Sequence, residues 1–416
     1  MKKLALAALL AISPVTFAEV TLEHVDEEVH LALETIQALK AELNELKAAV
    51  AMQSEVQEAS MGRIAKAAKK FEKITLGGYG ELHYQDTETD GGTNKHQMDA
   101  HRYVLFFGYD FTDKVRFRSE FELEHGLTCD NNTDTDTAAG STTSPSTCPG
   151  EVELEQMYVE MDHTDNLTTR VGVMLTPVGI LNENHEPPTF YGVERNEVEK
   201  YLIPTTWWGG GVQAVYKMDN GLTVEAMVGE GLEVNSAGYI RGGRQKSAEA
   251  LANDWSYTVR ATYTGFPGLK ASVFYNHQTD ATQSSGDNLE EMDLYGASAI
   301  YGFGDGFEVR ALHVQVEFEG KDESGAFFTS GFDEQQGTFL EVSKRFGNLG
   351  FFVNSATVSG EKRSRQYNVM QYGVSWWYPG NSNAVIKANW YDKELDNDSD
   401  SSSDTDGIHL GVGYVF

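Results

Sequence analysis

After residue 18, no stretch of this 416-residue chain reaches the roughly 18 to 20 uninterrupted apolar residues that a membrane helix needs. Any crossing of a bilayer must therefore use strands. Basic residues are also scarce: 32 Lys and Arg stand against 63 Asp and Glu, a net charge of -31, which argues against nucleic acid as a partner. Cysteine occurs only at Cys129 and Cys148, both in the polar stretch TCDNNTDTDTAAGSTTSPSTCPG. In an exported chain the pair reads as a disulfide at the base of a loop, in preference to a metal pair or a redox couple, which sit closer in sequence. Catalytic signatures are missing too. There is no serine-centred nucleophile elbow, and HEPPT puts prolines where a zinc-protease helix needs its second histidine. GFGDG lies where a tight turn is required, and His83, His185 and His313 lack metal-ligand spacing. No enzymatic activity, cofactor or metal site is expected. The run Asp396 to Asp406, DNDSDSSSDTD, lacks the glycine and terminal Glu of a helix-loop-helix calcium site and reads as a solvated loop.

What is present begins with an address. Lys2 and Lys3, an apolar run from Leu4 to Ile12 and a small-residue end at Ala18 have the layout of a secretory leader, residues 1–18. Residues 19–73 follow, poor in glycine and rich in Ala, Glu, Lys and Leu. Leu22, Val29, Ile36, Leu43 and Val50 recur every seven residues, with Val25, Ala32, Leu39 and Leu46 between them. That narrow seam predicts a periplasmic coiled coil and an oligomer. The alternative is an amphipathic helix lying on the domain or on a membrane.

At KITLGGYGELHYQ the period changes to 2 and holds to the C-terminus. Ile408, Leu410, Val412, Tyr414 and Phe416 alternate with His409, Gly411, Gly413 and Val415, so one face of the last segment is apolar and the other small or polar. Candidate strands lie near 74–85, 98–112, 115–127, 151–163, 167–177, 206–217, 221–230, 254–265, 269–278, 290–303, 306–319, 336–346, 349–359, 365–378, 383–395 and 406–416. Short turns such as TDK, HTDN, MDNG and FGNLG alternate with longer polar loops. This predicts an all-β fold over 74–416: a 16-stranded antiparallel transmembrane β-barrel, apolar towards lipid and wet inside. The last strand closes on the first near Ile74.

A lumen of this width cannot be filled by wall side chains alone. The segment 178–208, VGILNENHEPPTFYGVERNEVEKYLIPTTWW, is too apolar and aromatic for a solvated tip, and predicts a loop folded into the lumen. It carries Glu183, Glu186, Glu194, Glu197 and Glu199 against Arg195 and Lys200. By strand parity Arg102, Arg116, Arg118, Arg170 and Arg260 line the wall, with Glu120 among them. An acidic loop facing a basic wall implies a transverse field across the pore, with acidic outer loops favouring cations. Equally, these groups pair with one another to hold the wall.

The stretches LGGYGELHY, HRYVLFFGYDF, EVELEQMYVEMD, VGVMLTPVGILNENHEPPTFYGVERNEVEK and IPTTWW resemble the trimeric bacterial porins grouped with the phosphate-selective porins O and P. The resemblance spans 74–416 and is most specific over 151–208. It implies a homotrimer in the bacterial outer membrane, in contact with lipid and lipopolysaccharide, passing small solutes and ions by diffusion; the N-terminal helix is similar to the periplasmic coiled coil of some members. Named members of that family have a strongly basic channel, whereas the loop here has more acids than bases. A phosphate- or anion-selective channel, and an envelope tether or adhesin reaching the cell wall through the coiled coil, are the alternatives.

Overall fold

The computed structural model describes residues 30, 34–52, 60–61, 71–126, 150–234, 239–284, 290–320, 331–360, 366–395 and 404–416. The leader, Cys129 and Cys148, and most of the Asp396 to Asp406 run lie outside the described residues. The chain divides into two units, Met1–Glu72 and Lys73–Phe416. In the first, residues 34–52 form a helix, α1, whose Ile36, Leu39, Leu43, Leu46 and Val50 are exposed in the single chain. Among the described residues no helix is long and apolar enough to cross a membrane.

The second unit is built from strands. Sixteen form, β1 (Ile74–Thr89), β2 (Lys95–Asp110), β3 (Val115–Glu124), β4 (Val152–Asp162), β5 (Leu167–Leu175), β6 (Trp208–Lys217), β7 (Leu222–Glu230), β8 (Trp255–Tyr263), β9 (Leu269–Gln278), β10 (Glu290–Phe303), β11 (Phe307–Gly320), β12 (Glu334–Phe346), β13 (Leu349–Gly360), β14 (Tyr367–Trp377), β15 (Ala384–Leu395) and β16 (Thr405–Val415). Each pairs antiparallel with its sequence neighbours, and β1 pairs with β16, closing the barrel. The seam begins four residues above Ile74: Gly78 and Phe416 exchange backbone hydrogen bonds of 3.0 and 2.9 Å, and the register runs from Tyr79 opposite Val415 to Thr89 opposite Thr405.

Every second residue from Ile408 of β16 to the terminal Phe416 is exposed, while His409 is buried. The small inward face has a cause in packing. A Cβ on Gly413 would fall 2.1 Å from the Pro187 Cβ, and one on Gly411 3.0 Å from Val193, because the segment between β5 and β6 lies directly on them.

Alternation inverts in one sector. On the upper halves of β10 and β11, Met292, Leu294, Leu312, Val314, Val316 and Phe318 are buried, and Glu291, Asp293, His313, Gln315 and Glu317 take the outer face. Reading apolar residues as lipid-facing throughout is thus incorrect here. These side chains belong to a core shared with Val178, Leu181, Val198, Leu202, Ile203 and Trp207 of the inward segment. Arg310 falls on the inner parity and Lys344 on the outer, where its ammonium lies 4.0 Å above the Phe307 ring at the short-turn rim.

On the outer face of β16, Leu410→Arg should cost about 2–4 kcal/mol if the strand crosses hydrocarbon. Reversible urea unfolding in phospholipid vesicles measures it, and an effect under about 1 kcal/mol would place Leu410 outside the apolar band.

Candidate functional site

The connection between β5 and β6 turns inward as a folded unit. Its neck is closed by Thr176 N–H to the Trp207 carbonyl at 2.9 Å, and by Asn182, whose amide donates to the Thr176 and Trp207 carbonyls while its oxygen accepts from Trp207 N–H. Asn196 caps a short helix, α2 (Glu197–Tyr201), by accepting from Glu199 N–H at 3.0 Å. Val198, Leu202 and Ile203 are fully buried against the inner wall, each contributing about 1.5–3 kcal/mol by area.

Polar fastenings reach both sides of the lumen. On one side, Lys387 donates to the Gly192 carbonyl (2.7 Å), Ser375 to the Tyr191 carbonyl (2.8 Å), and Val193 N–H to Asn389 (3.0 Å). On the other, Thr206 donates to Glu155 on β4, and Glu183 pairs with Arg260 on β8. A loop tied to opposite walls narrows whatever passes through.

The loop carboxylates are occupied in doing this. Glu199 accepts from Ile180 N–H (2.6 Å), Leu181 N–H (3.2 Å) and the Thr205 hydroxyl (3.2 Å), yet burial outweighs these bonds and pushes its carboxyl up to about 7. Glu197 accepts from the Tyr367 and Tyr391 phenols at 3.2 and 3.4 Å. Glu194 meets His83 (2.9 Å) and Gln85 (3.1 Å); burial opposes its ionisation, but the His101 and His83 imidazoles hold it well below the carboxylate range. Glu186 precedes a 3-10 turn, Pro187–Thr189, its carbonyl accepting from Thr189 N–H.

The five arginines are likewise engaged, mostly with acids of the wall itself. Arg102 lies between Glu81 (3.2 Å) and Glu122 (3.5 Å), Arg116 between Glu160 (2.9 Å) and Asp162 (2.6 Å). Arg118 pairs with Asp110 (2.9 Å), and Arg170 with Glu160 (2.7 Å) and Gln213 (3.1 Å). Arg260 is shared by Glu225 and Glu183, and so joins an acid of the loop to a base of the wall. Glu120 sits beneath the loop beside Gln156 and His185. Two β-bulges, at Glu81/His83 and Glu120/Phe121, flank this region and re-aim its side chains.

Cations without a carboxylate within 4 Å among the described residues are the more telling feature, and of the four that gather here the sequence pointed to Arg195 and Lys200 but not to Arg241 and Arg244. Arg241 donates to the Lys200 and Thr205 carbonyls (2.9 and 2.6 Å) and Arg244 to the Thr206 carbonyl (2.7 Å). Both come from the β7–β8 connection and, with Tyr201, Tyr239, Gly242 and Lys246, line a cavity of about 470 Å3 above the inward loop. Burial, and then the neighbouring Arg244 and Arg195 charges, push Arg241 down to about 9, so it keeps its proton at neutral pH. Lys200 and Arg195 add to the group without a salt bridge of their own, and Arg195 Nη2 has no hydrogen-bond partner. The available signal was YIRGGRQK, residues 239–246: three cations and no acid in a chain with twice as many acids as bases.

The raised Glu199 carboxyl gives the loop a pH dependence. Because the folded state holds the proton more tightly than the usual 4.5, ionisation costs stability, which declines as pH rises from about 4.5 through about 7. Glu199→Gln should lack this decline, so the urea midpoints of the two proteins should diverge between pH 4.5 and 7.5, with the variant gaining at the upper end. Parallel curves would contradict the assignment.

The chain matches the family model of the Gram-negative porins over residues 46–416. An uncharacterized protein of Aquifex aeolicus (strain VF5) is 31% identical over 211 residues, which is 49% of this chain and 44% of that protein, so the match spans less than half of the relative's length. Solved structures similar in fold include an anion-selective porin from Comamonas acidovorans (12% identity, 82% of this chain and 99% of that one, TM-score 0.57). Others are Salmonella typhi OmpF in complex with daunomycin (12%, 82% and 97%, 0.54) and the outer membrane channel DcaP of Acinetobacter baumannii (13%, 82% and 97%, 0.52). With the closed sixteen-strand wall and the family match over most of its length, the chain belongs to the Gram-negative porin family, whose barrels lie in the outer membrane.

Proposed function

We propose that this protein is a passive diffusion channel for small hydrophilic solutes and ions, its bore set by the inward loop between β5 and β6. The observation that carries the reading is the loop's attachment to opposite walls of a closed barrel, through Lys387, Ser375 and Asn389 on one side and Arg260 and Glu155 on the other. A sixteen-stranded cylinder is wide enough to hold water. An internal loop converts it into a sieve.

The same geometry favours small anions at the outer mouth, in spite of the net charge of -31. Loop and wall carboxylates are largely spent on partners, whereas Arg241, Arg244, Lys200 and Arg195 have none of opposite sign within salt-bridge range among the described residues. One charge about 10 Å from an ion in water is worth only about 0.4 kcal/mol, below thermal energy; a group of four exceeds it. This supports the anion-channel alternative over the cation preference expected from composition, and it accords in sign with the basic channel of the phosphate-selective porins O and P.

Assembly as a homotrimer, contact with outer-membrane lipid and lipopolysaccharide, and a reach towards the cell wall through the N-terminal segment are part of the same proposal. The exposed seam of α1 supports association between chains.

In a tenfold potassium chloride gradient the reversal potential of the wild type should indicate anion preference, and Arg241→Gln with Arg244→Gln should move it towards cations while the folded protein keeps its heat-modifiable migration. A cation-selective wild type insensitive to these changes would remove the charge assignment and leave the channel. Deleting residues 19–73 should leave single-channel conductance unchanged and lower the temperature at which the oligomer dissociates; lost envelope integrity with trivial conductance would point to a tethering protein whose pore is incidental.

A further inference from the structure

Beneath the inward loop lies a buried cluster that hydrogen bonding leaves incomplete. His185, contributed by the loop, has its Nδ1 3.1 Å from the Asn182 carbonyl. A carbonyl only accepts, so Nδ1 carries the hydrogen and Nε2 is turned the other way. There it faces Glu120 Oε1 of β3 and Glu155 Oε2 of β4, 3.5 Å from each. The three residues are at most 3% exposed, and these three atoms have no hydrogen-bond partner among the described residues. Glu122, next along the inner face of β3, is fully buried, with neither carboxylate oxygen hydrogen-bonded among the described residues and Arg102 3.5 Å away as its ion-pair partner.

The distances discriminate. A charge-assisted N–H to carboxylate bond settles at about 2.7–2.9 Å. The edge of a tetrahedron around an ion with metal–nitrogen and metal–oxygen bonds of about 2.0–2.2 Å is about 3.3–3.5 Å. All three donor atoms lie within 4.8 Å of one another. Charge argues the same way, since burying more carboxylates than cations is unfavourable unless a cation joins them.

Other clusters of this type fail one of these conditions. Both ring nitrogens of His83 are bonded, to Glu194 and Glu81. His101 is held between Asp99 and Arg102. His277, with Glu291 and Asp293, is on the partly exposed outer face and already bonded to Asp293.

We propose that His185 Nε2, Glu120 Oε1 and Glu155 Oε2 bind one divalent first-row transition ion of the zinc class, with a fourth position open to water. An imidazole nitrogen among the donors selects against calcium and magnesium, which take oxygen ligands. The ion clasps the inward loop to the β3–β4 wall, opposite the Lys387 and Ser375 fastenings. The competing arrangement is an imidazolium shared by the two carboxylates: with no ion present, burial draws the His185 pKa down, but Glu120 and Glu155 push it up to about 10. Metal binding therefore displaces a proton. Sequence spacing gave no sign of this site, because its donors lie 30 and 35 residues apart on two strands and a loop.

The test uses the full-length folded protein in detergent, stripped with chelator, incubated with zinc and dialysed. Metal analysis should find one zinc per chain in the wild type and in His313→Gln, and near none in His185→Gln and Glu155→Gln, all four showing heat-modifiable migration. Cobalt in place of zinc should give the intense visible absorption of a tetrahedral site in the wild type. Should His185→Gln fail to fold, Glu120→Gln and the wild-type cobalt spectrum answer the same question. A wild type that retains no zinc and gives no such spectrum, zinc retention unchanged in both ligand variants, or displacement of zinc by equimolar calcium would each overturn the proposal and leave the shared imidazolium.

Discussion

In hydrocarbon a backbone amide without a partner costs several kcal/mol, so a sheet that enters a bilayer must have no edge. In this chain that requirement comes down to one pairing, between β1 and β16, sealed by the mutual bonds of Gly78 and Phe416. Closure over sixteen strands sets a bore that wall side chains cannot fill, and the bore must be narrowed from within. The inward loop does so by behaving as a small domain. It has a neck clasped by Asn182, a capped helix and a core of Val198, Leu202 and Ile203. It needs an apolar surface to dock on, which the barrel supplies by turning Leu294, Leu312, Val314 and Val316 inward and leaving Asp293, Gln315 and Glu317 outside.

All sixteen strands were legible because a period of two and turn chemistry are local properties. The inward loop was legible because its composition contradicts a solvated tip. Which face of an alternating strand meets lipid is not local: on the upper halves of β10 and β11 the apolar residues point inward onto the docked loop, while Tyr301, Phe303 and Phe307 of the same strands stay exposed. Gly411 and Gly413 illustrate the same limit. They looked like the small lumen face of a barrel strand, but their size is dictated by Val193 and Pro187 resting on them. Side-chain partnership was the least legible. Parity placed the five arginines on the inner wall, yet Arg116 and Arg170 both turn to Glu160, and Glu194 finds His83 from more than a hundred residues away.

Net charge and local field therefore part company. The composition is strongly acidic, but wall carboxylates such as Glu160 and Glu225 are paired with arginines whose charge offsets theirs. What a passing solute meets are the charges left over. Arg241 and Arg244 donate to the Lys200, Thr205 and Thr206 carbonyls of the inward loop, so the cations proposed to favour anions also brace that loop.

The inward loop lies against β16 inside the barrel, and a cross-link reads this most directly. In a background with Cys129 and Cys148 replaced by serine, Val193→Cys and Gly411→Cys should form a disulfide under mild oxidation, because a Cβ at position 411 falls within van der Waals reach of residue 193. The cross-linked protein should keep the conductance of the uncross-linked one, since the bond holds the loop where it already lies. Two thiols that stay reduced and react freely with a bulky maleimide would show the loop elsewhere and contradict the account.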